Sequence, residues 1–141
     1  MEHWQEKALE LFPELADVIN NNQFGPVGLW IDLYDALVQA YEMQPVNEGL
    51  IGRIYDFAAW CFNQPQTLQI GTDLSGAIAT GLIESIPLDK RVSDDLYRWL
   101  SVETFSGCES LFRYHLSDED YRKFSEEFMH KKKSYSGPSR L

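Results

Sequence analysis

Residues 27–42, VGLWIDLYDALVQAYE, carry the strongest periodic signal in the chain and decide its fold class. Apolar residues recur there at intervals of three and four, which places them on one side of a helix with 3.6 residues per turn. This predicted stripe consists of Val27, Trp30, Ile31, Tyr34, Leu37, Val38 and Tyr41. Acidic residues such as Asp32 and Asp35 share the opposite side, so the pattern predicts an amphipathic helix with the stripe against the core.

The helix predicted next, from Asn47 to about Gln64, is apolar on nearly all sides. Asn47 is a favourable N-cap, because its side-chain oxygen can accept a hydrogen bond from a free backbone N–H of the first turn. The stretch Ile54–Phe62 contains a single charged residue, Asp56. A helix without a broad polar side usually lies at the centre of a protein.

The other helix boundaries are read from caps and prolines. Pro13 interrupts the first apolar stripe, so we expect a kink or a fresh start there. Ser93 and Ser117 are each followed by acidic residues, a sequence typical of helix N-termini. Residues 94–116 can form either one helix or two.

A helix over about residues 73–86 contains two glycines, Gly76 and Gly81, and follows a loop predicted at residues 64–72. Glycine costs roughly 1 kcal/mol against alanine inside a helix. The two glycines therefore indicate close packing against a bulky neighbour, which we expect to be the aromatic helix after Asn47.

These segments together predict an all-α protein. Strand signals are almost absent, and the connections between helices are short. We expect six to seven antiparallel helices in a compact bundle or a helical-hairpin stack. A single domain should cover residues 1–130, followed by a basic, flexible tail at residues 131–141.

The net charge of −10 is unevenly distributed along the chain. Residues 1–87 hold 12 acidic and 2 basic side chains, whereas residues 88–141 hold 10 of each. An acidic surface disfavours nucleic acid, whose phosphates require Lys and Arg, and suits a basic protein partner or simply solubility. We therefore expect no nucleic-acid ligand.

Composition and motifs favour a non-enzymatic, cytoplasmic protein. Cys61 and Cys108 belong to no CxxC pair, which indicates two buried thiols and neither a zinc site nor a disulfide framework. The glycine-rich, metal-binding and nucleophile motifs of common enzymes are missing, so no cofactor or metal is expected. The acidic N-terminus lacks the apolar segment of a signal peptide, and no apolar stretch approaches the roughly 20 residues of a membrane span.

Acidic side chains on the first two predicted helices are the candidate partner-binding residues. Asp32 and Asp35 are three residues apart and lie close together on one helix face. Such a pair can form a solvated surface, a partner-binding surface, an acid–base pair or a cation ligand. The full predicted set is Asp32, Asp35, Glu42, Glu10, Glu14 and Asp17.

A small-molecule or enzymatic site inside the bundle is the alternative hypothesis. Asp56 needs a partner among its apolar neighbours, because an unpaired buried charge is costly. Arg53, one turn earlier, can supply that partner, or Asp56 can serve as the polar group of a pocket. The residues that would line such a pocket are Tyr55, Asp56, Trp60 and His115.

Up to about residue 130 the chain resembles the small, acidic, single-domain all-α proteins of uncharacterised bacterial families. The resemblance is carried by capped helices such as Ser117–Tyr121 and by the aromatic-rich Ile54–Phe62. Some proteins of this style are immunity or antitoxin partners that neutralise basic toxins. The resemblance thus implies a protein-binding module that docks a basic partner, and it transfers no individual site residue.

Overall fold

The computed structural model describes residues 2–65 and 74–141, and within these ranges the chain is all-α. The described residues contain nine α-helices, four short 3-10 helices and no strand. The predicted fold class is thus confirmed, but six to seven helices was too low a number. The loop predicted at residues 64–72 and the start of the following helix fall largely outside the described residues.

The chain divides into two compact units, Met1–Leu82 and Ile83–Leu141. Described residues of the first unit form α1 (His3–Leu11), α2 (Ala16–Asn20), α3 (Gly25–Glu42), α4 (Glu48–Phe62) and α5 (Leu74–Gly81), with a 3-10 helix at Pro13–Leu15. The second unit contains α6 (Lys90–Asp95), α7 (Val102–Gly107), α8 (Glu109–Phe112) and α9 (Asp118–Ser134), with 3-10 helices at Ile83–Leu88, Leu96–Arg98 and Arg113–His115. The single domain over residues 1–130 stays a prediction.

Aromatic side chains from α3, from α4 and from Phe12, which follows α1, pack together in the core of the first unit. The Trp30 ring of α3 stacks on the Phe57 ring of α4 with centroids 5.3 Å apart. Phe12 meets Phe57 edge to face at 5.8 Å. The sequence pattern had indicated that α4 is central, and its residues Leu50, Ile51, Ile54, Tyr55, Phe57, Ala58 and Cys61 are indeed buried.

Gly81 brings α5 against α3 at the position of Trp30. A Cβ atom at residue 81 would overlap the Cβ of Trp30 and lie 3.2 Å from its backbone carbon. Glycine is required here because the two helix backbones approach too closely for a side chain. The close packing inferred from this glycine is therefore present, but its tightest contact is with α3 and not with the expected aromatic helix.

The side of α3 that faces the core differs from the predicted stripe. The buried side chains include Leu29, Leu33 and Ala40, whereas Ile31 of the predicted stripe is 52% exposed. Trp30, Leu37 and Tyr41 are buried as expected. The prediction was wrong in phase because α3 carries apolar residues over more than one stripe, and the buried side is centred nearer to Leu33 and Leu37 than to Val27 and Ile31.

Three helix boundaries predicted from the sequence agree with the structure, and one does not. Asn47 accepts a hydrogen bond from the Leu50 N–H at 3.2 Å, and Ser117 accepts one from Asp120 at 3.1 Å. Pro13 separates α1 from α2 as expected. Ser93 is not a cap, because α6 begins earlier, where the Asp89 carboxylate accepts from the Val92 N–H at 3.0 Å.

Phenylalanines and the end of the chain organise the second unit. Residues 94–116 form several short helices, and the ring of Phe105 in α7 stacks on that of Phe128 in α9 with centroids 3.9 Å apart. The predicted basic tail begins inside α9, and its last two residues donate backbone hydrogen bonds to the Trp99 carbonyl.

Among the described helices, none combines the length and hydropathy that a membrane crossing requires.

Candidate partner-binding groove

An open groove of about 810 Å³ lies on the first unit between α2 and the N-terminal half of α3. We call it the α2–α3 groove. Its lining is mostly apolar, with carboxylates from both helices. The lining residues are Asp17, Val18, Asn21, Asn22, Gln23, Phe24, Val27, Gly28, Ile31 and Asp32.

A smaller depression of about 180 Å³ continues the groove along α3. The two cavities share Val18 and Asp32 in their linings, so they adjoin. Asp35 and Gln39 lie in the smaller depression. The combined surface therefore follows α3 for most of its length.

The groove holds three of the large apolar side chains that are exposed among the described residues of the first unit, including the most exposed of these, Phe24. Phe24 is 84% exposed, Ile31 52% and Val18 39%. Fully burying one such side chain contributes about 1.5–3 kcal/mol. In the free protein Phe24 gains little of that stabilisation, and Ile31 and Val18 gain only part of it, so the remainder is available to a partner.

A tightly bonded turn holds Phe24 at the mouth of the groove. The Asn22 carboxamide accepts from the Phe24 N–H at 3.0 Å and donates to the Gly25 carbonyl at 2.6 Å. Gly25 has a φ of 72°, a left-handed conformation that glycine adopts without strain. A Cβ atom on Gly28 would come within 2.7 Å of the Phe24 Cβ. The position of Phe24 is therefore set by its local backbone and not by burial in the core.

Three of the six predicted acidic residues line this surface. Among residues 2–65 and 74–141, no side chain forms an ion pair or hydrogen bond with the carboxylates of Asp17, Asp32 or Asp35. The first unit has eleven acidic and two basic residues in its sequence. The charge beside the groove is thus negative and is not neutralised by described neighbours.

The other three predicted acidic residues lie outside the groove lining. Glu10 is 3.5 Å from the Lys7 ammonium, and Glu14 is 2.5 Å from the Arg53 guanidinium. Arg53 also donates to the Leu11 carbonyl at 2.7 Å, which ties α4 to the end of α1. Glu42 is exposed at the last residue of α3. Both basic residues of this unit are therefore already occupied by carboxylates.

The alternative pocket residues occupy different environments. Tyr55 is buried in the core on α4, and Asp56 beside it is half-buried. Trp60, also half-buried, stacks on Phe57 at 5.9 Å. His115 is exposed in the second unit, next to Tyr114. Tyr55, Asp56 and Trp60 share one helix, but none of the four lines the α2–α3 groove.

The two cysteines are buried thiols. Burial raises the pKa of the Cys61 thiol to about 12, and the neighbouring Trp30 indole offsets part of this rise. Burial also raises the pKa of Cys108. Because the thiolate is the nucleophile and the metal ligand, both thiols are unreactive near neutral pH. In the described part of the chain, no three His, Cys, Asp or Glu side chains lie together as metal ligands.

The acidic set predicted from the sequence includes three carboxylates of the groove and its small extension, but none of the apolar side chains that line them. The predicted stripe places Ile31 in the core, and the predicted site contains neither Val18 nor Phe24. For Ile31 the available signal is the surplus of apolar residues on α3, since a surface helix can bury only one side. The chain matches no protein-family model, no curated protein and no solved structure.

Proposed function

We propose that the protein is a non-enzymatic binding module that docks a basic protein partner on the acidic surface of its first unit. The observation that carries this proposal is the set of three carboxylates, Asp17, Asp32 and Asp35, without a described ion-pair partner beside an open apolar groove. Basic side chains of a partner would neutralise these carboxylates, while its apolar side chains would fill the groove.

The charge and the apolar lining would contribute in different ways. Complementary charges mainly accelerate association and exclude wrong partners, and their effect falls as salt increases. Burial of apolar surface is less sensitive to screening and slows dissociation. A partner held by both would therefore associate more slowly at high salt.

An immunity- or antitoxin-type protein is the specific form of this proposal that we favour. A module of that type must bind one basic protein tightly and needs no catalytic group of its own. The negative first unit, with its two basic residues occupied by Glu10 and Glu14, fits that task.

Capture from a lysate of the source organism at about 50 mM and about 500 mM salt tests the proposal, because screening differs strongly between them. The bait is the wild-type chain, compared with Asp17→Lys/Asp32→Lys and with the control Glu103→Lys/Glu127→Lys. The control makes the same change in net charge on exposed residues of the second unit.

We expect a basic protein that is retained by the wild type and the control, is lost with the groove variant, and is captured in smaller amount at high salt because screening slows its association. Mass spectrometry identifies it, and circular dichroism confirms that all three baits are folded. A partner captured equally by all three baits, or no partner in any condition, would contradict the proposal.

A further inference from the structure

The α2–α3 groove allows a more specific inference about the partner, which rests on the proposed function. The geometry points to a basic amphipathic helix of the partner as its occupant. Apolar side chains on one face of that helix would contact Val18, Phe24 and Ile31. Lys or Arg side chains flanking that face would pair with Asp17 and Asp32.

The dimensions of the apolar patch suit a helix. Phe24 immediately precedes α3, and Ile31 lies about 9 Å along the helix axis from the first residue of α3, Gly25. Two turns of a partner helix span nearly the same length and present apolar side chains at i, i+3 or i+4, and i+7. Side chains at those spacings can contact both ends of the patch at once.

Backbone hydrogen bonding favours a helix over an extended peptide. An extended segment needs an open sheet edge to pair its N–H and C=O groups, and the described residues contain no strand. In an apolar groove an unpaired backbone loses the hydrogen bonds that it makes with water. A helix satisfies its own backbone and can present an apolar side without that cost.

The negative charge of the groove indicates that its occupant is positively charged. Asp17 of α2 and Asp32 of α3 both line the groove, and no described side chain neutralises them. An acidic or neutral amphipathic helix would bury its apolar side equally well but would leave these carboxylates unpaired or repelled. A second copy of this chain is also disfavoured, because its own first unit is acidic.

The test uses a designed peptide of about 18 residues, which is long enough to form a helix on binding. Leucines at i, i+3, i+4 and i+7 form one side, lysines the other, and a fluorophore reports binding by anisotropy. A second peptide has the same composition in an order that abolishes the apolar side. Both are titrated against the wild type, Phe24→Ala and the control Tyr114→Ala, which removes an aromatic side chain 71% exposed in the second unit.

We expect the amphipathic peptide to bind the wild type at least about tenfold more tightly than the reordered peptide. Phe24→Ala should weaken its binding by about tenfold to a hundredfold, because burial of a phenylalanine is worth one to two decades in affinity. Tyr114→Ala should bind like the wild type. Both replaced side chains are exposed, so both variants should remain folded.

Equal binding of the two peptides, or no effect of Phe24→Ala, would overturn the inference. The proposed function would still stand if a basic partner from the lysate were lost with Asp17→Lys/Asp32→Lys. Failure of both peptides to bind would also overturn the inference. So would a dimer of the free chain, detected by sedimentation and abolished by Phe24→Ala, because a second copy would then be the occupant.

Discussion

Replacing Gly81 with alanine measures how closely α5 must approach α3. The added Cβ would overlap the Cβ of Trp30 and lie 3.2 Å from its backbone carbon and 3.3 Å from the Ile31 nitrogen. Two of these three neighbours are backbone atoms, which cannot move without displacing α3 itself. The helices must therefore separate by a few tenths of an ångström or more, and the Trp30–Phe57 stack at 5.3 Å must adjust with them.

Two opposing terms set the size of the effect. Overpacking of a core costs about 1–3 kcal/mol, whereas alanine gains up to about 1 kcal/mol over glycine in helix propensity. Gly81 is the last residue of α5, where the propensity gain is small. We expect a net loss of about 1–2 kcal/mol in the free energy of unfolding, with a urea midpoint lower by about 0.5–1 M.

Gly107→Ala is the matched control for this measurement. Gly107 is also the last residue of a short helix, α7, and a Cβ atom there would meet nothing within 4 Å. Urea unfolding followed by far-ultraviolet circular dichroism should show Gly107→Ala to be equal to the wild type or slightly more stable. If Gly81→Ala proved as stable as Gly107→Ala, the close approach of α5 to Trp30 would be refuted.

Two further predictions concern a helix cap and a buried thiol. Asp89→Ala should lower the free energy of unfolding by about 1 kcal/mol, because the Asp89 side chain caps α6. Ser93→Ala should change it by less than about 0.5 kcal/mol, because Ser93 is not the cap. Equal losses for the two variants in urea unfolding would contradict this assignment. The pKa of Cys61 is raised from 9.0 to about 12, so above pH 9 the unfolded state loses this proton while the folded state keeps it. The resulting stabilisation is therefore complete below about pH 9. Between about pH 9 and pH 12, urea unfolding should show that the wild type loses on the order of 1 kcal/mol of unfolding free energy per pH unit relative to Cys61→Ala. Parallel pH profiles of the two proteins would count against burial of the thiol.

Local signals sufficed to predict the helical class and several helix starts. The oxygens of Asn47 and Ser117 cap the residues that follow them, so these boundaries depend only on neighbours in sequence. The prediction that Ser93 caps a helix was wrong because a competing cap, Asp89, lies four residues earlier and begins the helix there. Capping rules identify candidate residues, but the choice between two candidates depends on where the preceding 3-10 helix ends.

The orientation of α3 could not be predicted from α3 alone. Its apolar residues occupy two neighbouring stripes, one through Leu29 and Leu33 and the other through Val27 and Ile31. Which stripe is buried depends on where Gly81 lets α5 approach, and that is a contact between residues about fifty positions apart. The carboxylates of the candidate site could be predicted from their charge, whereas the exposure of Ile31 depends on this packing and that of Phe24 on the local turn at Asn22.

The acidic residues beside the groove also admit a simpler explanation, namely that they keep an exposed apolar patch from aggregating. Charges near such a patch do reduce self-association. That explanation accounts for Asp17 and Asp32 but not for Phe24, whose side chain is 84% exposed and adds little to the stability of the free protein. The Asn22 turn and the small Gly28 beneath it hold this side chain outward at the mouth of the groove. If solubility were the only role, Phe24→Ala would reduce aggregation and weaken no interaction, whereas a docking role requires the same substitution to weaken peptide binding.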